Sequence, residues 1–579
     1  MKKLLSIFLV LAMLFTAACK EKNPEPDKPD TPSGGERSAE EFHEFLEEEL
    51  IGFLSSNKLN AHFSYKNLSD FGLQDMKATL GSVEEDFDFT GFHDSLDGLH
   101  QFDRASLSAE DQKIYDKYES YLKKNLAYEG YEQYEFYFSP NGLNANLLTT
   151  FTEFVIRDEQ DIKDMITYLN ESEQYLKDAV EYTRKQADKG IEQAKSTMNG
   201  IIEQVDRFLN TKGNNEVSKA INTQIDACDF LNDEQKESYK KQISEASDGP
   251  LMNGYQAIRD YFADRVNKTT STGRFTDENG KKYYEALFAD KTSSSMTPTE
   301  GKKLMMNALR KALTNLQKAA RGVTDLNEVY YPDFGYEEPE EILAFIQSKM
   351  DADFPAQAKV EYSIDYLDPS VASDSVGAYY LIPPMDDVLS GNVIKVNPNS
   401  SMPLYPVLAH EGYPGHCFQF TYDYTNHPNP LLPILDFIGY TEGWAMYVEA
   451  LAIDYTDFKN DSAKEYVKID NVFFYYVMGV VDIMVNYEDA DEKTVTDFVS
   501  SYFDPSAGTI FYEAAIDEPG TYLPYSVGLV QVENLRTKAE SQLKDMFNAK
   551  EFHQALFDAG IGDFDYLEYW VDQYISEHK

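Results

Sequence analysis

From Glu40 to about Asn327, apolar residues recur at spacings of three and four. Ile162, Met165, Ile166 and Leu169 lead into Tyr175, Leu176 and Val180; Ile201, Ile202, Val205, Phe208 and Leu209 repeat the pattern, as do Leu304, Met305, Leu309, Leu313 and Leu316. That period belongs to helices with one apolar face, so this half of the chain is predicted to be a helical scaffold without internal repeats. Between about Lys359 and Asn399 the texture changes. Val360 to Ile364 alternates, Ala378 to Ile382 is apolar and aromatic, and Val393 to Val396 is largely β-branched, with Asp-Pro, Pro-Pro and Ser-Gly-Asn turn signals between them. These segments read as strands. The prediction is a mainly α fold with a small antiparallel β-sheet just upstream of the motif described below.

Composition narrows the function. At 42% hydrophobic and 26% charged, the 579 residues have a globular make-up. Against 52 basic residues stand 100 acidic ones, a net charge of −48, which repels polyphosphate and argues against nucleic acid as a partner. Three cysteines, Cys19, Cys228 and Cys417, are too few for a disulfide framework. The most apolar later run, Val472 to Val481, is ten residues long before Asp482 and reads as a core helix rather than a membrane span.

The N-terminus says where the protein works. Lys2 and Lys3 precede an apolar run from Leu4 to Phe15 and then Thr16-Ala17-Ala18-Cys19. This is a secretory signal over residues 1–18. The Ala-Ala-Cys ending resembles a bacterial lipobox, although Thr16 stands where Leu is favoured, and it implies acylation of Cys19. Residues 19–38, with four prolines and Gly34-Gly35 among charges, read as a tether. The expected product is an extracytoplasmic protein of the bacterial cell envelope, lipid-anchored to a membrane. Its body spans 39–579, a scaffold half (39–335) followed by a half (336–579) that carries the motif described next.

Two of only nine histidines fall within seven residues, in His410-Glu411-Gly412-Tyr413-Pro414-Gly415-His416. Imidazoles bind divalent metals, and an adjacent carboxylate can deprotonate a metal-bound water. Six positions on a regular helix turn by about 240°, so an unbroken helix would keep the two rings apart. Pro414 and Gly415 can end the helix and turn the chain back. Downstream, Glu442-Gly443-Trp444-Ala445-Met446-Tyr447-Val448-Glu449 sets two carboxylates seven apart on one helix face. One of them can complete a three-ligand site while the other supports a histidine ring N–H.

His-Glu-x-x-Pro-Gly-His followed by Glu-Gly-Trp-Ala-x-Tyr-x-Glu resembles the bacterial domain-of-unknown-function 885 family, from about residue 40 to the C-terminus. These proteins are regarded as zinc metallopeptidases with a helical, deeply clefted fold similar to the thimet-oligopeptidase and angiotensin-converting-enzyme group. The resemblance implies Zn2+ held by His410, His416 and Glu442, with Glu411 as general base. It implies Glu449 and Gln419 as supporting groups. A further stretch, Pro519, Leu523, Tyr525 and Gly528, matches a family pattern and makes Tyr525 the oxyanion donor, with Tyr522 as the alternate. Where many members carry a second histidine after the motif, this chain has Cys417, which leaves a thiolate ligand open. The expected activity is a surface-anchored zinc-dependent peptidase (hydrolase) acting on oligopeptide substrates. The alternatives are a non-catalytic peptide- or sugar-binding lipoprotein with a structural metal, and a hydrolase of another bond.

Overall fold

The computed structural model describes residues 37–83, 87–357, 359–367 and 376–579. The signal segment and Cys19 lie outside them. Ser38 caps the first helix, Ala39–Ser56, in a reciprocal capping box with Glu41, satisfying two donors that the helix end leaves orphaned.

The chain is mainly helical, as its periodicity predicts. Apolar faces of the N-terminal half meet in two cores. One gathers Phe42, Leu46, Leu54, Tyr118 and Leu122; the other gathers Ile162, Leu169, Leu176, Ile201, Val205, Tyr255 and Phe262. A hollow of about 490 Å3 beside the second core, lined by Lys177, Val180, Arg184, Asp260 and Tyr261, is remote from the motif residues. The third and largest core runs from Tyr134 to Ile575 and encloses the motif residues. Two helices form its spine. Pro298–Gly322 starts with proline in its first turn and a Thr297–Glu300 capping box; it packs along Asp461–Asn486, which Asn460 caps. The second helix is long and apolar enough to cross a membrane, yet 78% of its most apolar window is buried in the protein. It is a core helix, as the short apolar run implied.

The three predicted strands form: β1 (Tyr362–Tyr366), β2 (Ala378–Leu381) and β3 (Asn392–Val396). Their order is β1-β3-β2. The sheet is mixed, correcting the antiparallel prediction: β2 runs antiparallel to β3, with Tyr380 opposite Ile394, while β1 runs parallel to it, with Ile364 opposite Ile394. The cause is geometric. Two chain reversals give the first and third strands the same direction, and seating β3 between the others pairs those two. An all-antiparallel sheet needs β2 at the centre.

Candidate metal centre

The histidine motif is a broken helix. Leu404–Glu411 ends with His410 and Glu411, and a new helix, His416–Asn426, starts at the second histidine. Between them Gly415 donates its N–H to Ala409 O at 2.9 Å, folding the chain back on the helix it has left. Only glycine fits there, because a Cβ would lie 1.8 Å from the carbonyl oxygen of His410. The fold-back brings the two imidazoles to a ring-centre distance of 4.7 Å at 84°.

The third group comes from the helix Ile438–Asp454. Its Glu442 places Oε2 3.2 Å from His410 Nε2 and 3.6 Å from His416 Nε2. Ligand atoms of His410, His416 and Glu442 all lie within 4.8 Å of one another, and none of the three residues is more than 2% exposed. His410 Nε2 and Glu442 Oε2 are buried, and neither makes a well-formed hydrogen bond. Facing polar atoms in that condition are costly unless a cation lies between them.

The surrounding groups orient this set. On its other side His410 donates Nδ1–H to Glu449 Oε1 at 2.8 Å, and Asn471 donates to Glu449 Oε2 at 2.5 Å. A carboxylate behind Nδ1 fixes the ring with Nε2 turned toward Glu442 and His416. Glu411 has Oε1 4.0 Å from His410 Nε2, and its Oε2 accepts the backbone N–H of Tyr380, on β2, at 2.9 Å. The Tyr525 hydroxyl donates to Glu442 Oε1 at 3.0 Å. Tyr525 belongs to a π-helical turn, Pro524–Gly528, packed tightly on the Glu442 helix. A Cβ on Gly443 would lie 2.4 Å from the Gly528 carbonyl carbon, and one on Gly528 would lie 2.1 Å from Gly439 O. The glycines of Glu442-Gly443 and Tyr525-x-x-Gly528 are therefore two sides of one close crossing.

Electrostatics favour a cation. Burial works against charge on His410, yet Glu442, Glu449 and Glu411 more than offset it and hold its pKa well above the ordinary imidazole value; a metal must displace that proton. Burial pushes His416 down to about 4, so its ring is neutral and ready to ligate. Glu442 resists burial through its contacts with both imidazoles and falls to about 2. Glu411 is pushed up to about 8, first by burial and then by Glu442, with His410 opposing.

Other sequence-expected residues take different places. Cys417 lies outside the ligand group; its thiol sits against the Tyr413 and Tyr380 hydroxyls, and burial pushes it up to about 12. Gln419 is buried beside the Tyr440 phenol. Tyr522 packs its ring 5.7 Å from Phe474 and 6.5 Å from Tyr475. His427 is half-buried and donates to Phe557 O at 2.7 Å. His62 is buried and stacked on Phe154 at 4.0 Å. Glu135 and Asp436 are solvent-exposed, yet protein around them pushes both carboxyls up. Glu442 lies within electrostatic reach of Asp436.

Three contributors to the site are absent from the sequence motifs: Asn471, Tyr475 and the backbone of Tyr380. The first two carry a signal, a polar residue and a tyrosine four apart on the long core helix that holds the run Val472 to Val481.

Comparison with known proteins adds a family and a fold. The family model described as a bacterial protein of unknown function (DUF885) matches residues 78–570. No curated protein matches the chain. The solved structure of a "putative lipoprotein" from Colwellia psychrerythraea is similar with a TM-score of 0.78 at 18% identity, covering 93% of this chain and 99% of that one. A "putative lipoprotein of unknown function" from Shewanella oneidensis aligns with a TM-score of 0.63 at 14% identity, covering 92% and 99%. At such identities the likeness is one of fold.

Proposed function

We propose that this chain, which belongs to the bacterial DUF885 family, is a cell-envelope lipoprotein that hydrolyses peptide bonds of oligopeptides with the help of zinc. The observation that carries the reading is the convergence of His410, His416 and Glu442, with Glu411 beside them and Glu449 behind His410. Two imidazoles and a carboxylate are a donor set suited to zinc. Three protein ligands with a fourth position left over are characteristic of catalytic zinc, whereas structural zinc takes four. This favours turnover over a structural metal.

Zinc bound there would polarise the scissile carbonyl and acidify a water. The residues do the rest. Glu411, held through Oε2 by the Tyr380 N–H, takes the proton of the attacking water and hands it to the departing amine. Glu449 keeps His410 in its ligating orientation, and Tyr525 does the same for Glu442. β2, an edge strand of the sheet that touches Glu411 through its own backbone, offers an extended peptide a strand to lie along. The choice of oligopeptides over folded proteins rests on the family resemblance. Signal, lipobox and tether place this activity just outside a membrane.

The test is cleavage of a mixed oligopeptide library by the zinc-loaded protein, read by mass spectrometry, beside Glu411→Gln. Cleavage by the wild type alone, with zinc retained in both, supports the reading; equal turnover by the variant refutes it. An ester and a cell-wall amide in the same panel separate the other hydrolase classes.

A further inference from the structure

The helix Asp461–Asn486 turns one face toward the metal centre. Asn471 on it holds Glu449. Gly479, eight residues on, lets Ser526 of the Tyr525 turn approach so closely that a Cβ would lie 2.5 Å from its Oγ. Asp482 accepts the N–H of Gly520 at 2.9 Å and so anchors the segment leading to that turn. Tyr475 lies between Asn471 and Gly479 on this face. Its side chain is fully buried, and its ring stacks on that of Tyr525 at 5.7 Å and 29°. Glu449 and Glu442 both act electrostatically on its phenol, which burial first and then these carboxylates hold protonated.

The Tyr475 hydroxyl has no hydrogen-bond partner. A buried O–H left unpaired is costly, and natural structures rarely tolerate one without a use for it. Tyr525, the residue that sequence pattern nominates as oxyanion donor, is engaged instead with Glu442 Oε1. The two stacked phenols therefore differ: one supports a metal ligand and the other holds a donor in reserve.

We propose that Tyr475 is the oxyanion donor of this site, a catalytic role resting on the peptidase reading above, while Tyr525 is a positioning residue for Glu442. As the water oxygen bonds to the carbonyl carbon, the carbonyl π pair moves onto oxygen. That oxygen accepts a hydrogen bond from the Tyr475 phenol, which keeps its proton. The C–N bond then breaks, the carbonyl reforms, and the amine leaves with the proton Glu411 took from water. A preorganised donor used only when charge develops raises kcat rather than tightening substrate binding.

The experiment compares zinc-loaded full-length wild type, Tyr475→Phe, Tyr525→Phe and Glu411→Gln. It measures zinc affinity by chelator competition, binding of a phosphinic peptide that mimics the tetrahedral intermediate, kcat and KM on the matching peptide, and the thermal midpoint. Tyr475→Phe keeps the stacked ring and deletes only the unpaired hydroxyl. Its thermal midpoint should not fall, zinc affinity and KM should stay within twofold, and kcat should drop about 100-fold. Phosphinic peptide affinity should fall at least tenfold. Tyr525→Phe should weaken zinc itself. Wild-type kcat and phosphinic affinity in Tyr475→Phe, with Glu411→Gln inactive, overturn the assignment and leave the peptidase reading standing. Loss of zinc from Tyr475→Phe also overturns it, by making the residue a support of the metal. A zinc-loaded wild type that cleaves nothing overturns the peptidase reading and this assignment together.

Discussion

His410 donates its Nδ1–H to Glu449 across 2.8 Å, a bond between two buried residues 39 positions apart in the chain. The carboxylate fixes which nitrogen carries the proton and how the ring is turned, the orientation a metal-binding His410 would need. Glu449 is fixed in turn by Asn471.

Glu449→Ala should therefore lower zinc affinity about 10- to 100-fold while leaving all three ligands in place. Asn471→Ala, one link further out, should cost less. Chelator competition ranks the two variants against the wild type; equal affinities would show that the orientation of His410 does not depend on this chain of contacts.

Glu411→Gln should retain zinc and lose peptide turnover by a factor of about 10^2 to 10^4, the span expected for removal of a general base. Metal content and single-turnover cleavage, measured on the same preparation, separate the loss of a base from the loss of the ion.

Gly443→Ala places a methyl where the Gly528 carbonyl carbon stands 2.4 Å away. Both neighbours are backbone, so the helix and the Tyr525 turn must separate. The expected cost is about 1–3 kcal/mol of stability, with weakened zinc binding because Tyr525 loses its reach to Glu442. Denaturant unfolding and zinc titration check the two effects.

His553 supplies a pH dependence separate from the metal centre. Burial depresses it to about 3; its ring faces the Tyr447 hydroxyl at 2.8 Å and the Asp353 carbonyl at 2.6 Å. In the unfolded chain the group takes its ordinary value near 6.5. Between those values the unfolded state binds the extra proton. The stability tied to neutral His553 is thus present above about pH 6.5 and lost as pH falls toward 3, at up to about 1.4 kcal/mol per pH unit. His553→Gln should be less stable than wild type at pH 7, and the gap should narrow at pH 4. Thermal midpoints across that range are the check.

Much of this architecture is legible in the amino-acid sequence alone. The helical period announces the scaffold, since apolar faces at three and four spacings have few other uses. The Pro-Gly step between His410 and His416 announces the break that a six-residue spacing demands. The direction of β1 is not legible, because alternation marks a strand but not its place in the sheet. Nor is the difference between Tyr525 and Tyr475. Both are tyrosines in apolar surroundings, and only three-dimensional neighbours reveal which hydroxyl is engaged. The buried ring of His553 is equally silent. The glycines at 443 and 528 sit in the motifs, but that they face each other is a property of the crossing alone.

On this reading His410, His416 and Glu442 hold one catalytic metal. The most direct measurement is zinc stoichiometry of the purified chain after metal loading and desalting, beside a His410→Ala, Glu442→Ala double variant. About one zinc per wild-type chain and none in a folded double variant are the expected results. A folded wild type that takes up no metal, or a double variant that keeps its zinc, would contradict that reading.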